Sequence, residues 1–244
     1  MQLSELFARS YALYGEENMR RIHNTCAMVF GLGGVGGHCA EALVRAGLKK
    51  LYLVDKDVVS ASNVNRQILA TYEDIGKDKT ALAKARFSRI HPQVELVERK
   101  HFYLPEDPVE IPEDVDLILD CIDTVSAKIH LIETAARRGI AIISCMGMGN
   151  RFDPALIRVG KLHQTSNDPL CRVMRKLARE RGIHDVTVVY SEELPQSCNL
   201  SDNPHKAVPG SLPFVPSVAG LHMAACACKA ICSGLALLCP SIEE

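Results

Sequence analysis

The stretch Ala27-Met-Val-Phe-Gly31-Leu-Gly33-Gly34-Val-Gly36-Gly37-His-Cys-Ala-Glu-Ala-Leu-Val-Arg-Ala46 decides how the rest of the chain is read. Ala27–Phe30 is a short apolar run of strand character, and Val35–Ala46 carries helical periodicity. Between them Gly31, Gly33 and Gly36 form a GxGxxG junction. In such a junction the first glycine allows a tight turn, the second lets a phosphate approach the backbone, and the third lets the helix pack against the sheet. The helix N-terminus then offers free N–H groups and a partial positive charge to an anion. Asp55 ends the next apolar run, 24 residues after Gly31, at the offset where an acid accepts ribose hydroxyls. These features alone point to an adenine nucleotide and leave NAD, FAD and ATP open.

Outward from this unit, apolar runs alternate with helical patterns. Strands are expected at Ala27–Phe30, Leu51–Asp55, Val94–Glu98, Leu117–Cys121, Ile140–Cys145, Ile157–Val159 and Val186–Tyr190. Helices are expected at 16–25, Val35–Ala46, Lys79–His91, Ser126–Arg138, Leu170–Arg181 and Val218–Leu237. The alternation predicts an α/β fold: a Rossmann-like, doubly wound, mostly parallel sheet with helices on both faces and a C-terminal extension packed on it. Five prolines between Pro195 and Pro216 mark that stretch as a loop.

The 244 residues suffice for one large domain, and a net charge of −1 excludes a global pull toward nucleic acid or anionic membrane. The N-terminus, with Glu5 and Arg9, lacks the apolar core of a secretory signal. Val215–Cys239 is the most apolar stretch, but Pro216, His222 and Lys229 interrupt it. It reads as a buried helix and not a membrane span, so no membrane partner and a cytoplasmic location are expected. Of the ten cysteines no two are three positions apart, so no zinc is expected. Most read as small core residues. Cys198, in the polar run PQSCNLSDN, is the best candidate for an exposed thiol.

Three further motifs bear on which nucleotide is bound. A pyrophosphate diester carries about two charges and is served by a helix N-terminus. A triphosphate carries about four and needs cationic side chains and a metal. The sequence supplies Asn63, Arg66 and Gln67 after the second strand, Lys79 at the start of the next helix, and Asp120 and Asp123 after the fourth strand. In a parallel sheet the strand ends face the same crevice as the glycine loop, which places Asp55, Asp57, Asp120 and Asp123 there. Arg66 and Lys79 taken singly are ordinary surface charges. Together with the glycine loop they favour ATP with Mg2+, Asp123 being the magnesium carboxylate.

The ordered series Gly31-x-Gly33-Gly34-x-Gly36, Asp55-x-Asp57, Asn63-x-x-Arg66-Gln67, Lys79 and Asp120-x-x-Asp123 resembles the E1-like adenylating superfamily of ubiquitin-activating, ThiF, MoeB and HesA types. Residues 1–160 carry this resemblance and read as the nucleotide-binding core of a single domain spanning 1–244. Arg9, in Phe-Ala-Arg-Ser ahead of the first expected helix, matches the arginine that in this superfamily reaches the partner subunit's phosphates, which implies a homodimer. Asp168-Pro-Leu-Cys-Arg-Val-Met-Arg-Lys, Val188-Val-Tyr-Ser-Glu-Glu and Pro209–Gly220 look like the branch that dehydrates threonylcarbamoyladenosine in tRNA. Residues 161–244 are accordingly read as a substrate-binding and dimerisation extension. Leu6, where many relatives carry a second arginine, and Cys171, where this branch carries alanine, depart from the pattern.

That resemblance implies adenylation of the substrate carboxylate, followed by ring closure with loss of AMP. A sister activity, adenylation of the C-terminal glycine of a ubiquitin-like sulfur carrier, is the alternative, and a sulfur-acceptor protein of a cysteine desulfurase stays open as a partner. For a tRNA partner the predicted helix 170–181 offers a basic stripe, Arg172, Arg175, Lys176 and Arg179, at i, i+3, i+4 and i+7.

Overall fold

The computed structural model describes residues 3–198 and 208–243. A short α1 (Leu3–Leu6) leads into α2 (Ala8–Asn24), which kinks at Gly15, where φ is 75°. β1 (Cys26–Phe30), α3 (Gly36–Ala46) and β2 (Lys50–Val54) form the first parallel βαβ unit, and α4 (Lys79–Ile90) crosses to β3 (Glu95–Arg99). The second run is β4 (Leu117–Asp120), α5 (Val125–Arg138), β5 (Ala141–Cys145), β6 (Ile157–Lys161), α6 (Pro169–Glu180), β7 (Ile183–His184), β8 (Thr187–Ser191), α7 (Phe214–Ser233) and β9 (Ser241–Ile242).

Seven strands form one sheet in the order β3-β2-β1-β4-β5-β8-β6, parallel except for β6, which runs antiparallel to β8. β7 and β9 pair separately. The expected mostly parallel, doubly wound sheet is what forms. These two-residue strands were not anticipated, being too short to carry a period. Residues 195–198 and 208–213 are irregular as expected, whereas Phe214–Pro216 already belong to α7. The remainder of that proline-rich stretch, 199–207, lies outside the described residues.

β1 is buried along its whole length because both faces are covered. Ala27 and Val29 pack with α2, α3, α4 and α7, whereas Met28 and Phe30 pack with α5 and α6. α7 is long and apolar enough to cross a membrane by composition alone. It serves instead as a core helix: Val215, Ala219, Met223 and Ala227 are buried against α3 and the sheet. Gly220 lets it approach closely, since a Cβ there would lie 2.3 Å from the Val35 carbonyl at the start of α3.

Candidate active site

A cavity of about 740 Å3 opens at the C-terminal ends of β1, β2 and β4. This is where the strand order reverses, the position at which open α/β sheets bind ligands. Gly31, Gly33 and Gly34 line it, together with Asp55, Asp57, Asn63, Arg66, Gln67, Lys79 and Asp123. The sequence motifs are thus brought to one crevice. Gly36 stands behind them: a Cβ there would lie 1.8 Å from the Gly31 carbonyl oxygen.

Each loop position has a local cause. Gly31 takes φ 86° and donates its N–H to the Val54 carbonyl at 2.8 Å, turning the chain off the sheet. Asp55 ties this turn to β2. One carboxylate oxygen accepts the Leu32 N–H at 2.6 Å and the other the Asp57 N–H at 2.8 Å. A carboxylate has about four lone-pair sites, so acceptor capacity remains for ribose hydroxyls.

Lys79 is the first residue of α4 and only 4% exposed. A cation buried at a helix N-terminus meets the positive end of the helix dipole, an arrangement local stability disfavours. Its Nζ lies 3.2 Å from Asp57 Oδ2, on a carboxylate that is itself half exposed. Arg66 donates to the Ser62 carbonyl at 2.7 Å and to Asn65 Oδ1 at 3.0 Å, while Asn63 Oδ1 accepts the Ser60 N–H at 3.1 Å. Gln67 is 7% exposed, and its buried Oε1 has no hydrogen-bond partner among the described residues. An orphaned buried acceptor costs about 1–3 kcal/mol, which a donor on a ligand removes.

A nucleoside triphosphate fits this donor set. Loop amides, Arg66 and buried Lys79 supply positive potential, and the exposed Asp123 supplies one carboxylate. Magnesium is commonly held by one or two carboxylates plus phosphate oxygens, and needs no protein cage. Among the described residues no group of three or more His, Cys, Asp or Glu side chains is placed to hold a metal by itself.

Asp120 departs from expectation. It is fully buried and turned away from the crevice: Oδ2 accepts from Lys128 Nζ at 2.8 Å and from Ser144 Oγ at 2.6 Å, and Oδ1 accepts the Ile122 N–H at 3.1 Å. Arg9 is an exposed residue within α2, not ahead of the first helix, and lies outside the crevice lining of its own chain. On α6 the buried face is Cys171, Met174 and Ala178, while Val173 is 45% exposed. Arg172 and Arg179 are exposed, and Lys176 lies 3.8 Å from Glu180. Arg175 is partly buried and donates to both the carbonyl and the hydroxyl of Thr165, so it braces the preceding loop.

Two constellations escaped the sequence reading. Arg151, 3% exposed, donates to the carbonyls of Gly147, Gly149 and Glu193 and pairs with Asp168 at 2.9 Å. Asp168 in turn caps α6 by accepting the Cys171 N–H at 2.9 Å. Lys56 sits 3.5 Å over the Phe102 ring at the crevice wall. All ten cysteines are free, and Cys198 is exposed as read from the sequence, its Sγ 3.0 Å from Asn150 Oδ1. Burial pushes the Cys26, Cys145 and Cys171 thiols up to about 12, as befits core residues.

The ThiF family model matches residues 7–236. Over 232 residues the chain is 37% identical to the tRNA threonylcarbamoyladenosine dehydratase of Bacillus subtilis (strain 168), covering 89% of this chain and 91% of that protein. It is 32% identical over 203 residues to the Escherichia coli (strain K12) protein of the same name, covering 78% and 76%. The crystal structure of E. coli tRNA N6-threonylcarbamoyladenosine dehydratase, TcdA, in complex with ATP is similar at a TM-score of 0.83 and 28% identity, over 94% of this chain and 95% of that one. The match over residues 7–236, with 37% identity to a relative across nine-tenths of both chains, shows that this chain belongs to the ThiF family.

Proposed function

We propose that this chain is an ATP-dependent dehydratase of N6-threonylcarbamoyladenosine in tRNA. The observation that carries the reading is a lysine, Lys79, kept buried beside a glycine phosphate loop, in a chain similar over nine-tenths of its length to a protein of that name. A dinucleotide would give neither Lys79 nor the exposed Asp123 a purpose.

The chemistry follows from the substrate. The threonyl carboxylate is a poor electrophile. Its oxygen attacks the α-phosphorus of ATP, the bond to pyrophosphate breaks, and a mixed anhydride with AMP forms. A carbamoyl atom of the same side chain then attacks the activated carbonyl, closes a five-membered ring and expels AMP, with one proton released. The net change in the nucleoside is loss of one water. Because nucleophile and electrophile share one side chain, the second step gains from held proximity.

In this reading the Gly31–Gly36 loop and Asp55 hold the nucleotide. Asn63, Arg66 and Lys79 stabilise charge on the phosphates during transfer, with Asp57 setting the Lys79 ammonium and Gln67 accepting from a donor on the nucleotide. Asp123 holds Mg2+, which when bound neutralises phosphate charge. Arg9 acts across a homodimer, completing the partner's crevice. Residues 161–244 form the substrate and dimer extension of one domain, and Arg172, Lys176 and Arg179 on α6 contact tRNA phosphates in the cytoplasm.

Pyrophosphate exchange into ATP tests the adenylation step. Exchange stimulated by threonylcarbamoyladenosine-bearing tRNA is expected. Stimulation by a small ubiquitin-like carrier protein, and not by the modified tRNA, would transfer the chain to the sister activity.

A further inference from the structure

Behind the crevice lies a cluster to which the reading above gives no role. Lys128, Asp120 and Ser144 are all fully buried. Lys128 Nζ donates to Asp120 Oδ2 at 2.8 Å and to Ser144 Oγ at 3.2 Å, and the Ser144 hydroxyl donates to the same Asp120 oxygen at 2.6 Å. Taking two charges out of water costs several kcal/mol per ion, and well-packed apolar residues often hold a core as well or better. The neighbours of Lys128 on α5, Ala127, Leu131 and Ile132, do that without charge. Anchoring α5 to the sheet is therefore not a sufficient reason for this pair.

The remaining bonds of the cluster indicate what it fixes. The other Asp120 oxygen accepts the Ile122 N–H at 3.1 Å, from the residue preceding Asp123. The Cys121 N–H donates to the Phe30 carbonyl at 2.9 Å, and the Lys128 N–H closes the first turn of α5 onto the Thr124 carbonyl at 2.9 Å. The turn 121–124 is thus held at β1, at Asp120 and at α5. It also abuts the glycine loop, since a Cβ on Gly31 would lie 2.8 Å from the Cys121 carbonyl oxygen. Asp123 hangs from this turn into the crevice.

We infer that the buried Lys128–Asp120–Ser144 cluster sets the position of Asp123 against the phosphate loop, making Lys128 a positioning residue for the metal-bearing end of the crevice. The inference rests on the reading of Asp123 as the magnesium carboxylate. Lys128 touches neither nucleotide nor metal. It pairs with Asp120 and aligns it, so that Asp120 holds the Ile122 amide and through it the Asp123 backbone. Groups one step behind a metal carboxylate act in this way.

The test is ATP binding to the full chain by calorimetry, in magnesium and in excess EDTA, with thermal unfolding recorded for each variant. Lys128→Met is expected to weaken ATP binding in magnesium by about 10-fold or more and in EDTA by less than about 2-fold, with Lys128→Arg restoring most of the loss. Should Lys128→Met fold poorly, the double variant Asp120→Asn with Lys128→Met removes both charges while keeping shape, and the same split is expected of it. Ser144→Ala, a smaller change, should move in the same direction. A lower unfolding temperature with an unchanged magnesium-to-EDTA ratio in these variants makes the cluster merely structural and overturns the inference. Asp123→Asn separates this from failure of the underlying reading. If Asp123→Asn leaves the ratio unchanged, Asp123 is not the magnesium carboxylate, and both ideas fall.

Discussion

The crevice and the exposed face of α6 both carry the cations on which the functional reading depends, yet they hold them differently. In the crevice Lys79 is buried at the wrong end of a helix dipole, and the Gln67 carbonyl is buried without a partner among the described residues. Both features cost folding free energy and make sense only with an anionic, donor-bearing ligand. On α6, Arg172 and Arg179 are solvated and Lys176 makes a long, exposed pair with Glu180, an arrangement that costs and gains little. A site that sacrifices stability declares itself in a structure. A surface that binds by charge alone does not, and only its response to salt distinguishes it from any other solvated face.

Substitutions can break or sharpen this contrast. The largest effect is expected for Lys79→Met. AMP formation on modified tRNA should fall by about 10²–10³, the usual loss when one group stabilising transition-state charge is removed. Its unfolding temperature should stay level or rise, because the buried charge is gone. A stability loss comparable to the activity loss would make Lys79 structural and erase the contrast.

Next is the triple variant Arg172→Ala, Lys176→Ala, Arg179→Ala. It should weaken tRNA binding about tenfold at moderate salt and lower the slope of log K against log salt by about two to three, with ATP binding unchanged. Binding unaltered across a salt titration would remove α6 from the tRNA surface. Arg175→Ala should behave unlike its neighbours. It frees the Thr165 groups that Arg175 braces, so it should cost about 1 kcal/mol in urea unfolding.

The smallest effect concerns the segment that bears Arg9. Phe7 packs on the rings of His23 and His91 at 5.4 and 5.1 Å. Burial, and then the nearby His23, hold His91 below its ordinary value of 6.5. The folded state therefore favours neutral His91, and the unfolded chain takes up its proton first as the pH falls. This contribution is complete above 6.5 and is lost as the pH drops toward the depressed folded value. Thermal unfolding between about pH 7 and pH 5 should show the decline, and His91→Asn should flatten it. An equal decline in that variant would assign it elsewhere.

The nucleotide crevice was largely legible in the sequence because its signals are local. The glycine spacing, Asp55 and Lys79 each stand at an element boundary that the apolar periodicity marks. Asp120 was misplaced for a reason that is itself physical. It ends β4 with the parity of Ile118, facing α5, whereas Leu117 and Leu119 face the other way. Lys128, on the apolar face of α5 beside Ala127 and Leu131, was the available signal for its partner. Arg151 and Asp168 are 17 residues apart in an irregular region, and no period links them. Arg175 reads from sequence as one of four equivalent cations, since only the fold reveals Thr165 beneath it.

The central claim is that this chain spends ATP to dehydrate a threonylcarbamoyl group on tRNA. Incubating it with ATP, Mg2+ and threonylcarbamoyladenosine-bearing tRNA, then digesting the tRNA and weighing its nucleosides by mass spectrometry, tests that claim directly. The account predicts loss of one water from the modified adenosine, with one AMP formed per conversion and both products reduced by about 10²–10³ with Lys79→Met. An unchanged nucleoside mass with folded protein that binds ATP would contradict it.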